Sequence, residues 1–160
     1  MPDADENPVL YLRVRFAETD QMGIAHHSAY PVWMEAGRVQ WLRAHGLDYR
    51  TMEEGGLSLS VSAMEVRYRQ AARFDDLIAV TTTLVLVRSR LLRLEYRLER
   101  DHDGTLLATG ATVHLPGATS PPGGPGSPAR GAWATCGINN RAASMPGRPA
   151  AWTNTPRASS

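Results

Sequence analysis

The 160-residue chain contains no lysine, so each of its 17 fixed positive side chains is an arginine. It has a single cysteine, Cys136, which excludes an internal disulfide and fits a reducing, cytoplasmic setting. No Cys/His cluster has ligand spacing, and the adjacent His26 and His27 are poorly placed to chelate together, so no metal or other cofactor is expected. Long apolar runs are missing as well. The longest, LIAVTTTLVLV at 77–87, is too short to span a bilayer and carries three threonines. It reads as a buried strand, and no membrane span is expected. The opening MPDADENP is acidic and precedes no apolar h-region, so no secretory signal is expected.

Acids are absent from residues 117–160, which carry 4 arginines, whereas residues 1–116 hold all 16 acids against 13 arginines. The formal charge of +1 therefore divides into −3 and +4. The acid-containing part is no general polyanion binder, and four scattered arginines are too few to argue for nucleic acid. The same boundary separates two compositions. Residues 117–160 contain 7 of the 11 prolines and 7 of the 14 glycines, and no Leu, Val or Phe. Such a segment buries too little apolar surface to offset its ordering entropy. The expected organisation is one folded domain over 1–116 and a disordered tail over 117–160. Local packing through Trp133 or Trp152 is the alternative for that tail.

Within 1–116 the hydrophobic period changes once. Residues 9–16, VLYLRVRF, alternate with Leu10, Leu12, Val14 and Phe16 on one face, as in a half-buried strand. From about Ser28 to Ala44, Tyr30, Trp33, Met34, Gly37 and Trp41 form one helical stripe. Ser28 suits the N-cap, Pro31 the first turn and Gly46 the C-terminal end. Four strands follow. LSLSVSAMEVRY changes phase at Ala63, which predicts a bulge or bend; LIAVTTTLVLV is apolar on both faces and reads as central. LLRLEYRLER buries Leu92, Leu94, Tyr96 and Leu98 on one side, and the DHDG turn leads to a last strand over 106–115. Short connections imply antiparallel neighbours, hence an α+β meander around one central helix.

Ahead of that helix stands AETDQMGIAHHSAYPVWMEAGR, with Asp20, Gly23, His27 and Tyr30 in order and Glu35 one turn further. On pattern alone, Asp-x-x-Gly is first a turn, in which the carboxylate accepts a backbone N–H two residues on. A reactive carboxylate at a helix start is the other reading.

The run ETDQMGIAHHSAY, continued by WMEAGRVQWLRAHGLDY and MEVRYRQAARFDDLIAV, resembles the 4-hydroxybenzoyl-CoA thioesterase-like acyl-CoA thioesterases, a hotdog-fold family. The resemblance covers about residues 9–115. It implies a sheet wrapped around the central helix and a homodimer or homotetramer with active sites at the subunit interface. It implies hydrolysis of an acyl-CoA to free acid and CoA, with no cofactor. By position, Asp20 matches the catalytic carboxylate, as nucleophile or as general base toward water. The backbone N–H of His27 matches the oxyanion donor, a role suited to the positive end of a helix. The His27 side chain either orients the aspartate or caps the helix, and His26 reads as an exposed loop residue. Gly23 permits the turn beside the substrate, Tyr30 lines pocket or core, and Glu35 matches a common helix acid for which an ion pair is expected. Arg67, Arg69 and Arg73 either meet the CoA phosphates or keep a strand edge soluble.

Two residues depart from the family pattern: Ala29 stands before the tyrosine, and Ala71 replaces a proline in the Y-x-x-P-A-R turn. The match breaks near residues 115–116, and the abrupt loss of Leu, Val and acids there is what a reading-frame shift would produce. Two other functions remain open at this point. One is a hotdog hydratase or dehydratase using a histidine with Glu35; the other is a non-catalytic or C-terminally damaged hotdog scaffold.

Overall fold

Alternating side chains build most of the sheet, because a strand packed on a helix buries one face and leaves the other to solvent. A computed structural model of the chain describes residues 7–54, 56–88 and 90–118. The expectations for the tail concern residues 119–160 almost entirely and lie outside the described residues. Strands β1 (Val9–Arg13), β2 (Leu57–Tyr68), β3 (Leu77–Arg88), β4 (Leu91–Arg100) and β5 (Leu106–Ala118) form one antiparallel sheet in the order β1-β3-β4-β5-β2. Helix α1 (Ala29–Ala44) packs against β3, β1 and β4, which is the α+β hotdog arrangement the sequence led us to expect.

The phase change in LSLSVSAMEVRY is a register shift between Val61 and Ala63, where β2 pairs with β5. The doubly apolar β3 lies inside the sheet, between β1 and β4, although β4 holds the middle position. β5 runs on to Ala118, with Gly117 opposite Ser58 and Pro116 opposite Leu59, so the strand passes the boundary expected at residue 116. A six-residue helix, α2 (Tyr49–Glu54), was not foreseen; it buries Met52 and packs beside β2.

One strand expectation is corrected. β1 ends at Arg13, and Phe16 lies 77% exposed rather than on the buried face. The chain turns away because the Glu18 carboxylate accepts from the Arg15 N–H at 2.8 Å and from its guanidinium at 2.9 Å. Those bonds close a single 3-10 turn over Phe16–Glu18 and lift Phe16 off the sheet.

The stripe on α1 is buried as a unit: Tyr30, Trp33, Met34, Gly37 and Trp41 all face the sheet. With Ile78, Val80, Leu94, Leu98 and Leu107 they form the core, each large side chain stabilising by roughly 1.5–3 kcal/mol relative to exposure. Two glycines let helix and sheet approach. A Cβ on Gly37 would stand 2.8 Å from Val80 and Thr82; one on Gly110 would meet the Met34 sulfur at 2.7 Å and the Glu65 carbonyl at 2.8 Å. The thioether can swing, but the carbonyl belongs to the paired strand. Gly110→Ala is therefore expected to lower stability by roughly 1–2 kcal/mol through overpacking, read as a lower urea midpoint. An unchanged midpoint would show that the strands can part at no cost.

The far half of α1 covers a chain of polar groups. Arg38, 8% exposed, donates from Nε to the Tyr49 hydroxyl at 3.0 Å. Tyr96 and Thr112 share a hydroxyl contact of 2.7 Å, and Thr112 meets His114 Nε2 at 2.7 Å. Pairing of this kind offsets the desolvation cost of burying polar groups, although His114 Nδ1 has no partner among the described residues. No helix among the described residues is long and apolar enough to cross a membrane.

Candidate functional site

The segment between the 3-10 turn and α1 is organised by its own backbone. Asp20 N–H donates to the Ile24 carbonyl at 2.9 Å, Gly23 N–H returns to the Asp20 carbonyl at 3.0 Å, and Thr19 bridges Ala25. The turn needs φ = +74° at Gly23, a conformation a β-carbon disfavours. The Asp20 carboxylate accepts from the Met22 N–H at 2.8 Å through Oδ1. The Asx turn read from the sequence is thus present, and it engages one oxygen. Oδ2 accepts nothing among the described residues.

Three anchors fix the loop to the rest of the fold. Ala25 N–H donates to the Ala72 carbonyl at 2.8 Å, and His26 N–H donates to the Glu18 carbonyl at 2.7 Å. Glu18 reaches the helix as well, accepting from the Trp33 indole at 3.1 Å. Partial burial of Glu18 works against its charge. Hydrogen bonds from Arg15 and Trp33 outweigh that penalty and hold the carboxyl below its usual range.

At the helix start the His26 carbonyl accepts from the Ala29 N–H at 2.9 Å. The His27 carbonyl accepts from the Tyr68 hydroxyl at 2.9 Å. The His27 N–H donates to no described group, so a polarised donor is left open where α1 begins. Ser28 precedes the helix without capping it, and its hydroxyl instead meets His26 Nδ1 at 2.7 Å. The two histidine rings lie 4.0 Å apart, and His26 is exposed, as expected. Beside them a cleft of about 280 Å³ is lined by Arg15, Glu18, Thr19, His26, Ser28 and Val32.

Tyr30 is 3% exposed; its ring packs on Trp33 and edge-on to Tyr68, and its hydroxyl accepts from the Ala72 N–H at 3.2 Å. Burial raises its pKa, so it stays a neutral phenol. Its place is in the core under the loop. Glu35 is exposed on α1 and forms no ion pair with any described residue, contrary to the pairing expected for it. Arg67 pairs with Glu65 at 2.6 Å, and Arg69 and Arg73 are exposed. The structure therefore brings Asp20, Gly23, His27 and Tyr30 to one end of α1 and leaves Glu35 on its outer face.

Glu18 and Tyr68 were not singled out from the sequence. For Tyr68 a signal existed: the even phase of Met64, Val66 and Tyr68 after the bulge places it on the same face as Val66, which packs against the core. For Glu18 the signal was local only: Arg15 three residues before it offers an ion pair, but nothing in the sequence points to the indole fifteen residues on.

The chain matches the model of the Thioesterase-like superfamily over residues 14–146. It is 33% identical over 105 residues to the acyl-CoA thioesterase YbgC of Haemophilus influenzae, covering 65% of this chain and 75% of that one. It is 38% identical to YneP of Bacillus subtilis over 71 residues, which is 44% of this chain and about half (51%) of that relative. Among solved structures, the hypothetical protein TT1821 from Thermus thermophilus superposes with a TM-score of 0.66 at 44% identity, covering 69% of this chain and 84% of that one.

Proposed function

Because the chain belongs to the thioesterase-like superfamily, we propose that it hydrolyses acyl-CoA thioesters to a free acid and CoA, with the chemistry at the start of α1. The observation that carries this reading is the open His27 N–H at the helix start, on the same short loop as a carboxylate with one unengaged oxygen. A thioester carbonyl oxygen bound at that N–H would develop negative charge where the helix dipole stabilises it. Asp20 then either attacks the carbonyl carbon, giving a mixed anhydride that water opens, or takes a proton from a water that attacks. In both routes the C–S bond breaks and the CoA sulfur leaves as a thiolate. A thiol of pKa about 8.5 needs no obligatory acid, so one carboxylate and one oxyanion site suffice.

A homodimer or homotetramer, with the active site at the subunit interface, belongs to the same proposal. β2 supports it: among the described residues the strand ends the sheet with its outer edge unpaired, and Val61, Met64 and Tyr68 are 42–50% exposed along it. A twelve-residue edge strand that exposes three large hydrophobic side chains is a liability that a second copy would remove. A cytoplasmic setting fits a chain with one cysteine.

The test is thiol release from short, medium and aromatic acyl-CoAs, followed with a thiol reagent. Hydrolysis of at least one class is expected at rates far above the uncatalysed background. If no acyl-CoA yields thiol while the protein is folded, the non-catalytic scaffold becomes the better reading. Water addition to an enoyl-CoA without thiol release would point to a hydratase.

A further inference from the structure

We propose that Tyr68 is a positioning residue that keeps the His27 N–H turned toward the substrate. The inference rests on the thioesterase reading in that it takes this N–H as the oxyanion donor.

Two peptide planes meet at His27. The first carries the His26 carbonyl and the His27 N–H on opposite sides, as in any trans peptide. Its carbonyl is held by the Ala29 N–H at 2.9 Å, so its N–H points away from that contact. The second plane carries the His27 carbonyl, held by the Tyr68 hydroxyl at 2.9 Å. With both carbonyls held, rotation about the His27 backbone is blocked from either side. Among the described residues, the Tyr68 hydroxyl is the one group outside the loop that bonds the His27 backbone.

The hydroxyl is itself held rigidly. Tyr68 is the last residue of β2 and lies 41 positions from His27 in the chain. Its ring stands edge-on to Tyr30, with centroids 5.0 Å apart and planes at 90°. Tyr30 is buried under the loop and tied to Ala72. Within the loop the Ser28 N–H of the same plane reaches His26 Nδ1 at 3.3 Å; from outside it, a strand, a braced ring and one O–H fix the angle of the His27 carbonyl. Tyr68 is itself about half-exposed, so its hydrogen bond is a small part of the fold's stability and a large part of the geometry at His27.

Tyr68→Phe removes the donor and keeps the ring against Tyr30. For whichever acyl-CoA the wild type cleaves, kcat is expected to fall about tenfold while KM stays within about twofold, the pattern of an interaction made in the transition state. The melting temperature is expected to stay within a few degrees of wild type. In 1H–15N spectra the His27 amide signal should shift or broaden while the Ala72 signal does not.

An unchanged kcat, or a loss that only follows the folded fraction, overturns the role assigned to Tyr68. A wild type that releases no thiol from any acyl-CoA overturns the thioesterase reading instead. The spectra then decide this inference, and identical His27 signals in wild type and variant would refute it.

Discussion

Asp20→Asn is expected to lower kcat for acyl-CoA hydrolysis at least about a hundredfold, the scale of losing a positioned base or nucleophile. The structure makes this a clean substitution. Asp20 Oδ1 accepts the Met22 N–H at 2.8 Å, and the carboxamide oxygen of asparagine can accept the same bond in the same place. The turn at Gly23 and the bridge from Thr19 to Ala25 should therefore survive. What the variant loses is the second oxygen and the charge, so it can neither attack a carbonyl nor take a proton from water. KM should change little, because the substrate's remote contacts are untouched. Asp20→Ala serves as the contrast: it removes the chemistry and the Asx turn together, and should also lower the melting temperature. Hydrolysis that survives Asp20→Asn would remove Asp20 from the mechanism, whatever the family resemblance implies.

Most of the sheet was legible because burial on one face writes itself as alternation. Leu92, Leu94, Tyr96 and Leu98 read as one face and are buried as one. The break at Ala63 was legible for the same reason, since a bulge inverts the phase and leaves a visible slip. The helix showed itself through Tyr30, Trp33, Met34, Gly37 and Trp41, whose spacing suits no strand. Reading failed where a local bond outweighed the pattern. Phe16 continues the alternation perfectly, yet the Arg15–Glu18 bonds turn the chain before Phe16 can reach the sheet. Ser28 has the composition of a cap and spends its hydroxyl on His26 instead. Helix α2 is six residues long with one buried side chain, too little to leave a periodic signal.

The site was half legible. Its loop could be located from Asp20, Gly23 and His27, and a turn could be inferred from physical chemistry alone. Its supports could not. Tyr68 with His27, Trp33 with Glu18, and Ala72 with Tyr30 are pairs 15 to 42 residues apart, which only the fold brings together. The ion pair expected for Glu35 failed for a related reason: a helix acid finds a partner only where the neighbouring element happens to place one.

Acidification from pH 7 to about 5 is expected to cost the fold about 2 kcal/mol through His114 alone, approaching about 3 kcal/mol by pH 4. His114 has no exposed surface and lies on β5 among Leu92, Thr112 and the polar chain ending at Arg38. Burial, and secondarily the Arg38 charge, push its pKa down from 6.5 to about 4. The sign follows from proton counting. Between about pH 6.5 and 4 the unfolded chain holds this proton and the folded chain does not, so stability is full above 6.5 and drains as pH falls toward 4. The carboxyls held low in the fold, Glu18 and Asp103, lose their contribution as pH falls past their ordinary values of 4.5 and 3.8, so their loss joins that of His114 only at the acid end of this window. Urea midpoints at pH 7 and pH 5 should therefore differ clearly for the wild type. Glutamine at this position can still bond the Thr112 hydroxyl but cannot take a proton, so His114→Gln should show nearly equal midpoints at the two pH values. Parallel losses in both proteins would assign the acid sensitivity elsewhere. A wild type indifferent to pH 5 would mean that Nδ1, which has no partner among the described residues, gains an acceptor that tolerates the imidazolium.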